Sequence, residues 1–186
     1  MKGQQKFYLF FGVIFYSFIA LAGLIWLQYS SKVGIKPLIN LHNPASICVI
    51  GIGSGILVAL ISIFMVKIWK FAQEIEQEFG NLLGHQSVLQ IVLLAAMSSV
   101  AEEIFFRGAM QQSIGLVFTS IIFAFVHPPV NEKLLFWPFF AFAVGILLGY
   151  QMQETRTLLT PILTHFTINL INLLRISAKY KLLVVQ

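Results

Sequence analysis

Ser98-Ser99-Val100-Ala101-Glu102-Glu103-Ile104-Phe105-Phe106-Arg107 closes an apolar run that begins near Val88. Two adjacent carboxylates and a guanidinium stand inside what otherwise reads as a membrane-spanning helix. An ionisable group at the centre of a bilayer costs roughly 2.5–3.5 kcal/mol on insertion scales, so a chain keeps one there only with a partner or a task. Helical spacing separates the two acids. Glu103 and Arg107 are i,i+4 neighbours in the favourable acid-before-base order and can neutralise each other. Glu102 lies about 100° round the helix, with no partner in its own segment.

The composition fits that membrane setting. Of 186 residues, 58% are hydrophobic and 10% charged, with a mean hydropathy of +0.86, whereas an ordinary soluble domain carries about 25% charged residues. One compact helical membrane domain is expected, with no room for a separate soluble one. The net charge is +5, but the bases stand singly near the ends of apolar runs. That is the pattern of membrane anchors, so the expected partner is the lipid bilayer and not nucleic acid. The single cysteine, Cys48, excludes an internal disulfide and a cysteine-based metal cluster, and is expected to be a small core residue.

Taken in order, the first span is Phe7–Leu27, followed by no small-residue cleavage site and therefore read as retained. A second, about Ile47–Val66, carries Gly51 and Gly55 at a spacing that permits close helix approach. From Lys67 to Phe79 the character changes. Ile68, Ala72, Ile75 and Phe79 share one helical face, while Lys67, Lys70, Glu74, Glu76 and Glu78 lie elsewhere. This reads as an amphipathic helix along the membrane surface, continuing from span two and broken by Gly80 and Gly84. Span three runs from Val88 to Met110, span four from Ile114 to Val126, span five from Leu134 to Gln151 and span six from Leu158 to Leu174. Ala141, Gly145 and Gly149 form a packing stripe, and a short basic tail follows Arg175.

The expected fold is thus all-α: a polytopic transmembrane bundle of about six spans plus one interfacial amphipathic helix. Residues 1–86 hold the N-terminal spans and interfacial helix, 87–176 the polar core, and 177–186 the tail. Lys2, Lys6, Lys67, Lys70, Lys133, Arg175, Lys179 and Lys181 fall on one side; Lys32, Lys36, Arg107 and Arg156 on the other. The imbalance predicts an integral membrane protein with both termini cytoplasmic, in a prokaryotic or organellar inner membrane.

The polar groups of the core share one depth. At about 1.5 Å per residue, Glu102 and Glu103 lie roughly 14–15 Å above a turn near Gln112, and His127 about 22 Å above it on the returning helix. On the hairpin turning near Glu154, His165 lies about 16 Å and Asn169 about 22 Å above that turn. A carboxylate with an imidazole is the minimum for activating water by general base catalysis. A second imidazole and an amide stacked at i and i+4 can donate to a developing oxyanion. The set fits hydrolysis of an acyl or peptide bond. An aspartyl mechanism needs two Asp and the chain has none; His-Glu-x-x-His is absent; Ser54, between two glycines, reads as a packing residue.

Glu102-Glu103-x-x-x-Arg107, Phe123-x-x-x-His127 and His165-x-x-x-Asn169, in this order on membrane spans, resemble the three motifs of the CAAX-prenyl protease and bacteriocin-processing (CPBP or Abi) family, which includes the Ras-converting type II CAAX proteases. The resemblance covers about Leu89 to Leu174. It implies an intramembrane endopeptidase acting on a peptide or membrane-protein substrate. Glu102 with His127 would activate water, His165 and Asn169 would form the oxyanion hole, and Glu103, Arg107 and Phe123 would hold the architecture. No cofactor is expected. The resemblance also carries a zinc alternative with Glu102, His127 and His165 as ligands. Two other readings use the same residues: a non-catalytic membrane scaffold or immunity protein bound together by a polar network, and a proton-coupled carrier.

Overall fold

The computed structural model describes residues 2–30, 39–127 and 136–184, and among them it is all-helical. In chain order the helices are α1 (Lys2–Ser30), α2 (Pro44–Ile68), α3 (Lys70–Leu83), α4 (Val88–Ile114), α5 (Leu116–Phe125), α6 (Trp137–Thr155) and α7 (Leu159–Val184). Lys32, Lys36, Lys133 and the residues following His127 in its loop lie outside the described residues. Among the described residues, three helices are long and apolar enough to cross a membrane: α1 over Phe10–Tyr29, α2 and α4. The bundle is inverted relative to a water-soluble protein. Large apolar side chains such as Phe18, Val49 and Phe118 face outward, while Ser99, Thr119, Ser120, Thr157, Thr160 and Thr164 are sealed inside. Small and hydroxylated residues at helix interfaces let backbones approach and pair across them.

Local chemistry sets the helix ends. Asn43 caps α2 by accepting from the Ser46 amide (3.1 Å), with Pro44 in its first turn. Ser87 and Gln90 form a reciprocal capping box that starts α4. Trp69 is extended, so α3 is a separate helix and does not continue from α2. Gly84, at φ 63°, ends α3. Gly80 does not break it: that glycine is buried in the helix, with Tyr180 and Ile176 beside the place of a side chain. The hairpin after α4 turns at Gly115 (φ 83°), not near Gln112, and leaves α5 only ten residues long.

Two pairs of small residues set the packing. A methyl group at Gly55 would fall 2.5 Å from Thr167 Cβ and 2.8 Å from the Thr164 carbonyl; one at Gly51 would fall 2.7 Å from Leu163 Cβ. The Thr164 hydroxyl lies 3.0 Å from the Gly51 carbonyl and 2.8 Å from Gln151 Oε1, within reach of either acceptor. The glycine spacing in α2 therefore seats α2 flush against α7. Gly145 and Gly149 do the same for α6 against Ser120 of α5 and Gln111 of α4. Gly23 of α1 comes against the backbone of Phe105, pinning α1 to the part of α4 that follows the acidic pair.

Several expectations are corrected. Cys48 is exposed on the outer face of α2, not in the core. Glu76 is buried on the α7-facing side of α3 together with Ala72 and Gly80, because Arg175 and Lys179 of α7 both reach it. The segment after Leu174 is no short tail but the last turns of α7, held in helix by those pairs and by Ser177. Ser177 also hydrogen-bonds the Gln86 amide (2.9 Å) and the His85 ring (3.2 Å).

Candidate active site

Between Glu103 and Gln111 the winding of α4 changes. Ile104–Met110 forms a π-helix, in which the backbone bonds reach one residue further than in an α-helix. Side chains take up its loosened carbonyls: Gln112 donates to Arg107 O (3.3 Å) and Ser113 to Ala109 O (3.0 Å). Such segments recur at functional sites, and here one separates the acidic pair from the hairpin.

Glu103 and Arg107 are almost fully enclosed, at 0% and 1% exposure. The i,i+4 pair forms as the spacing predicts, Arg107 Nη1 donating to Glu103 Oε1 at 3.1 Å. Arg107 Nη2 donates to the Gly145 carbonyl (3.2 Å), and its guanidinium lies 4.3 Å from the centre of the Phe123 ring. A charge this deep is tolerated because it is paired, hydrogen-bonded and stacked on an aromatic face. The same Glu103 Oε1 meets His165 Nδ1 at 2.8 Å. Glu103 therefore ties α4 to α7, and Arg107 ties α4 to α6.

Glu102 points the other way. Its Oε2 lies 3.9 Å from Nε2 of His127, too long for a direct hydrogen bond. The end of α5 holds His127 in place. The His127 amide bonds to the Ala124 carbonyl, so the Phe123 carbonyl has lost its regular helical donor, and His127 Nδ1 supplies one at 2.6 Å. A carbonyl only accepts, so Nδ1 carries the proton; in the neutral ring Nε2 presents its lone pair toward Glu102. The Phe123 ring sits 4.5 Å from the His127 ring, 5.0 Å from Phe106 and 6.3 Å from His165, as the hub of the site.

Asn169 lies one turn beyond His165 on α7 and donates to Ser98 Oγ at 3.0 Å. Ser98, four residues before Glu102 on the same face of α4, is a site residue that sequence reasoning did not single out; its i,i+4 relation to Glu102 was the available signal. Tyr16 of α1 also faces Glu102 and Ser98. No local pattern marks it, because its place depends on how α1 packs. Trp137, 6.0 Å from the His127 ring, closes the site from α6.

Tyr16, Ser98, Phe123 and Trp137 border one cavity of about 410 Å³. Glu102, His127, His165 and Asn169 lie at one end, and Glu76 and Arg175 line it elsewhere; the walls between are largely apolar. Among the described residues, no three His, Cys, Asp or Glu side chains converge as zinc coordination demands. His165 Nδ1 is already engaged by Glu103. As placed, Glu102, His127 and His165 do not fit a three-ligand zinc site.

Residues 84–171 match the family model described as Rce1-like, type II CAAX prenyl endopeptidase. Each of the seven residues in the three motifs lies inside that stretch. The chain is also similar to an uncharacterized protein of Bacillus subtilis (strain 168), YpbD, with 28% identity over 153 residues, 81% of this chain and 78% of that protein. No solved structure matches. The family match supports a membrane protease of CAAX type.

Proposed function

We propose, for a chain whose residues 84–171 match the Rce1-like family of type II CAAX prenyl endopeptidases, that it cuts a peptide bond within the membrane using a water activated by Glu102 and His127. The observation that carries this reading is the 3.9 Å separation of Glu102 Oε2 and His127 Nε2 at the end of a largely apolar cavity. A water held between them gives up a proton to this pair as its oxygen attacks the carbonyl carbon. The carbonyl oxygen becomes an oxyanion across the cavity, where His165 and Asn169 stand. His165, whose Nδ1 meets the Glu103 carboxylate, turns its Nε2 edge toward that oxyanion. Asn169 spends one amide hydrogen on Ser98 and offers the other. The proton held by the Glu102–His127 pair then passes to the leaving nitrogen as the carbon–nitrogen bond breaks.

No step in this scheme passes through a metal or other cofactor; the protein is read as a glutamic-type endopeptidase. The six helices other than α3 are read as crossing the bilayer and α3 as lying at its surface, with both termini cytoplasmic. The short α5, about 15 Å long, ends within the hydrocarbon layer of about 30 Å, and this brings His127 down to the level of Glu102.

Proteomics of membrane peptides in cells carrying the wild-type chain or Glu102→Gln tests the reading. Cut sites present with the wild type and absent with Glu102→Gln are expected, at equal protein levels. Identical peptide sets would favour the scaffold reading, in which the polar groups only join helices.

A further inference from the structure

Helix α1 lies outside the matched stretch 84–171, yet it reaches the site through Tyr16. Its register against α4 is set by two close approaches. A methyl group at Gly12 would fall 3.4 Å from Leu94, and one at Gly23 would fall 2.8 Å from the backbone of Phe105. Between them, the Tyr16 hydroxyl hydrogen-bonds Ser98 beside Glu102. The three pairs keep the same separation along the chain, as two parallel helices packed side by side require. Gly12, Tyr16 and Gly23 share one face of α1, so the glycines bring the helix close enough for the phenol to reach across.

A serine hydroxyl has one hydrogen to give and two lone pairs to receive with. Ser98 gives its hydrogen to the Ala95 carbonyl (3.2 Å) and receives one from Asn169 Nδ2 (3.0 Å). The remaining lone pair is left for the Tyr16 O–H. With both lone pairs taken, the Ser98 hydrogen stays on Ala95, and Asn169 must turn its NH2 group to Ser98. A reversed amide would put oxygen lone pairs where both amide hydrogens now stand, one facing Ser98 and the other the developing oxyanion. We propose that Ser98 and Tyr16 are positioning residues, which together hold the Asn169 amide with an N–H toward the carbonyl oxygen under attack. Helix α1 is then part of the catalytic apparatus, although neither residue touches the reacting atoms. This inference rests on the proposed peptidase activity.

To test it, the full chain in phosphatidylcholine vesicles is given a farnesylated peptide whose cysteine precedes three apolar residues. Should that peptide stay intact, a synthetic peptide spanning a cellular cut site lost in Glu102→Gln replaces it. Asn169→Ala removes an oxyanion donor outright and is expected to lower kcat about 10²–10³-fold. Ser98→Ala only frees that donor to turn, and should lower kcat about 10- to 100-fold with KM unchanged. Ser98→Thr, which keeps the hydroxyl, should regain most of the loss. Tyr16→Phe deletes one hydrogen bond and should lower kcat about 2- to 10-fold. In the Asn169→Ala background, Ser98→Ala and Tyr16→Phe should have no further effect, since they act only through that amide. A Ser98→Ala loss of equal size with and without Asn169, or one that appears in KM, overturns the inference and leaves the peptidase standing. So does cleavage by Tyr16→Phe at the wild-type rate, a test that holds even if Ser98→Ala fails to fold. Absence of any Glu102-dependent cleavage, in vesicles and in cells, removes the peptidase and the inference together.

Discussion

Glu103 and Glu102 are consecutive residues of α4, yet one faces a sealed side of the helix and the other a cavity. On the sealed side, Glu103 is fixed by Arg107 and His165, and Arg107 reaches on to Gly145 and Phe123. Three helices are fastened through one carboxylate. On the cavity side, Glu102 has His127 at 3.9 Å, and its Oε2 makes no direct hydrogen bond. The difference teaches that the same residue type serves two ends. An acid with one oxygen shared by a guanidinium and an imidazole joins helices, whereas an acid with only a more distant imidazole beside it borders a cavity into which something can be brought.

The contrast is broken most severely if the two glutamates prove interchangeable. Glu102→Gln should lower the cleavage rate by about 10²–10⁴-fold while the thermal unfolding temperature in detergent stays close to wild type. Glu103→Ala should do the reverse in kind, stranding Arg107 without its carboxylate and lowering stability by about 3–5 kcal/mol, read as a large drop in the same temperature. Equal unfolding temperatures for the two variants would end the distinction. A smaller effect should come from Gly55→Val, outside both faces: its side chain meets Thr167 and Thr164, so α2 must shift from α7 at about 1–3 kcal/mol. The weakest expected effect is none at all: 1,10-phenanthroline should leave the cleavage rate unchanged. A loss restored by added zinc would return Glu102 to the role of ligand.

Much of this was written in the chain. The i,i+4 relation of Glu103 and Arg107 is a property of helical spacing, and the pair forms as that spacing requires. Gly51 and Gly55 foretell close packing because a residue without a side chain has few other uses on a helix face, although the partner helix is not named by them. Where periodicity was read without tertiary context, it misplaced residues. Glu76 looks like a water-facing charge on the wheel of α3 and is instead enclosed, since the cations that neutralise it are about a hundred residues away on α7. Gly80 reads as a breaker only until Tyr180 is seen beside it.

The sequence by itself determined the membrane setting, the helical class and the short list of groups able to do chemistry. All three follow from hydrophobicity and from the cost of charge in lipid, which act residue by residue. Only the tertiary structure decided that Glu103 is shared with His165, that Arg107 reaches Gly145, and that Tyr16, Ser98 and Arg175 border the cavity of Glu102 and His127. Those are relations between helices. The distances that fix them are set by small residues and by the early end of α5, and no local pattern carries that information.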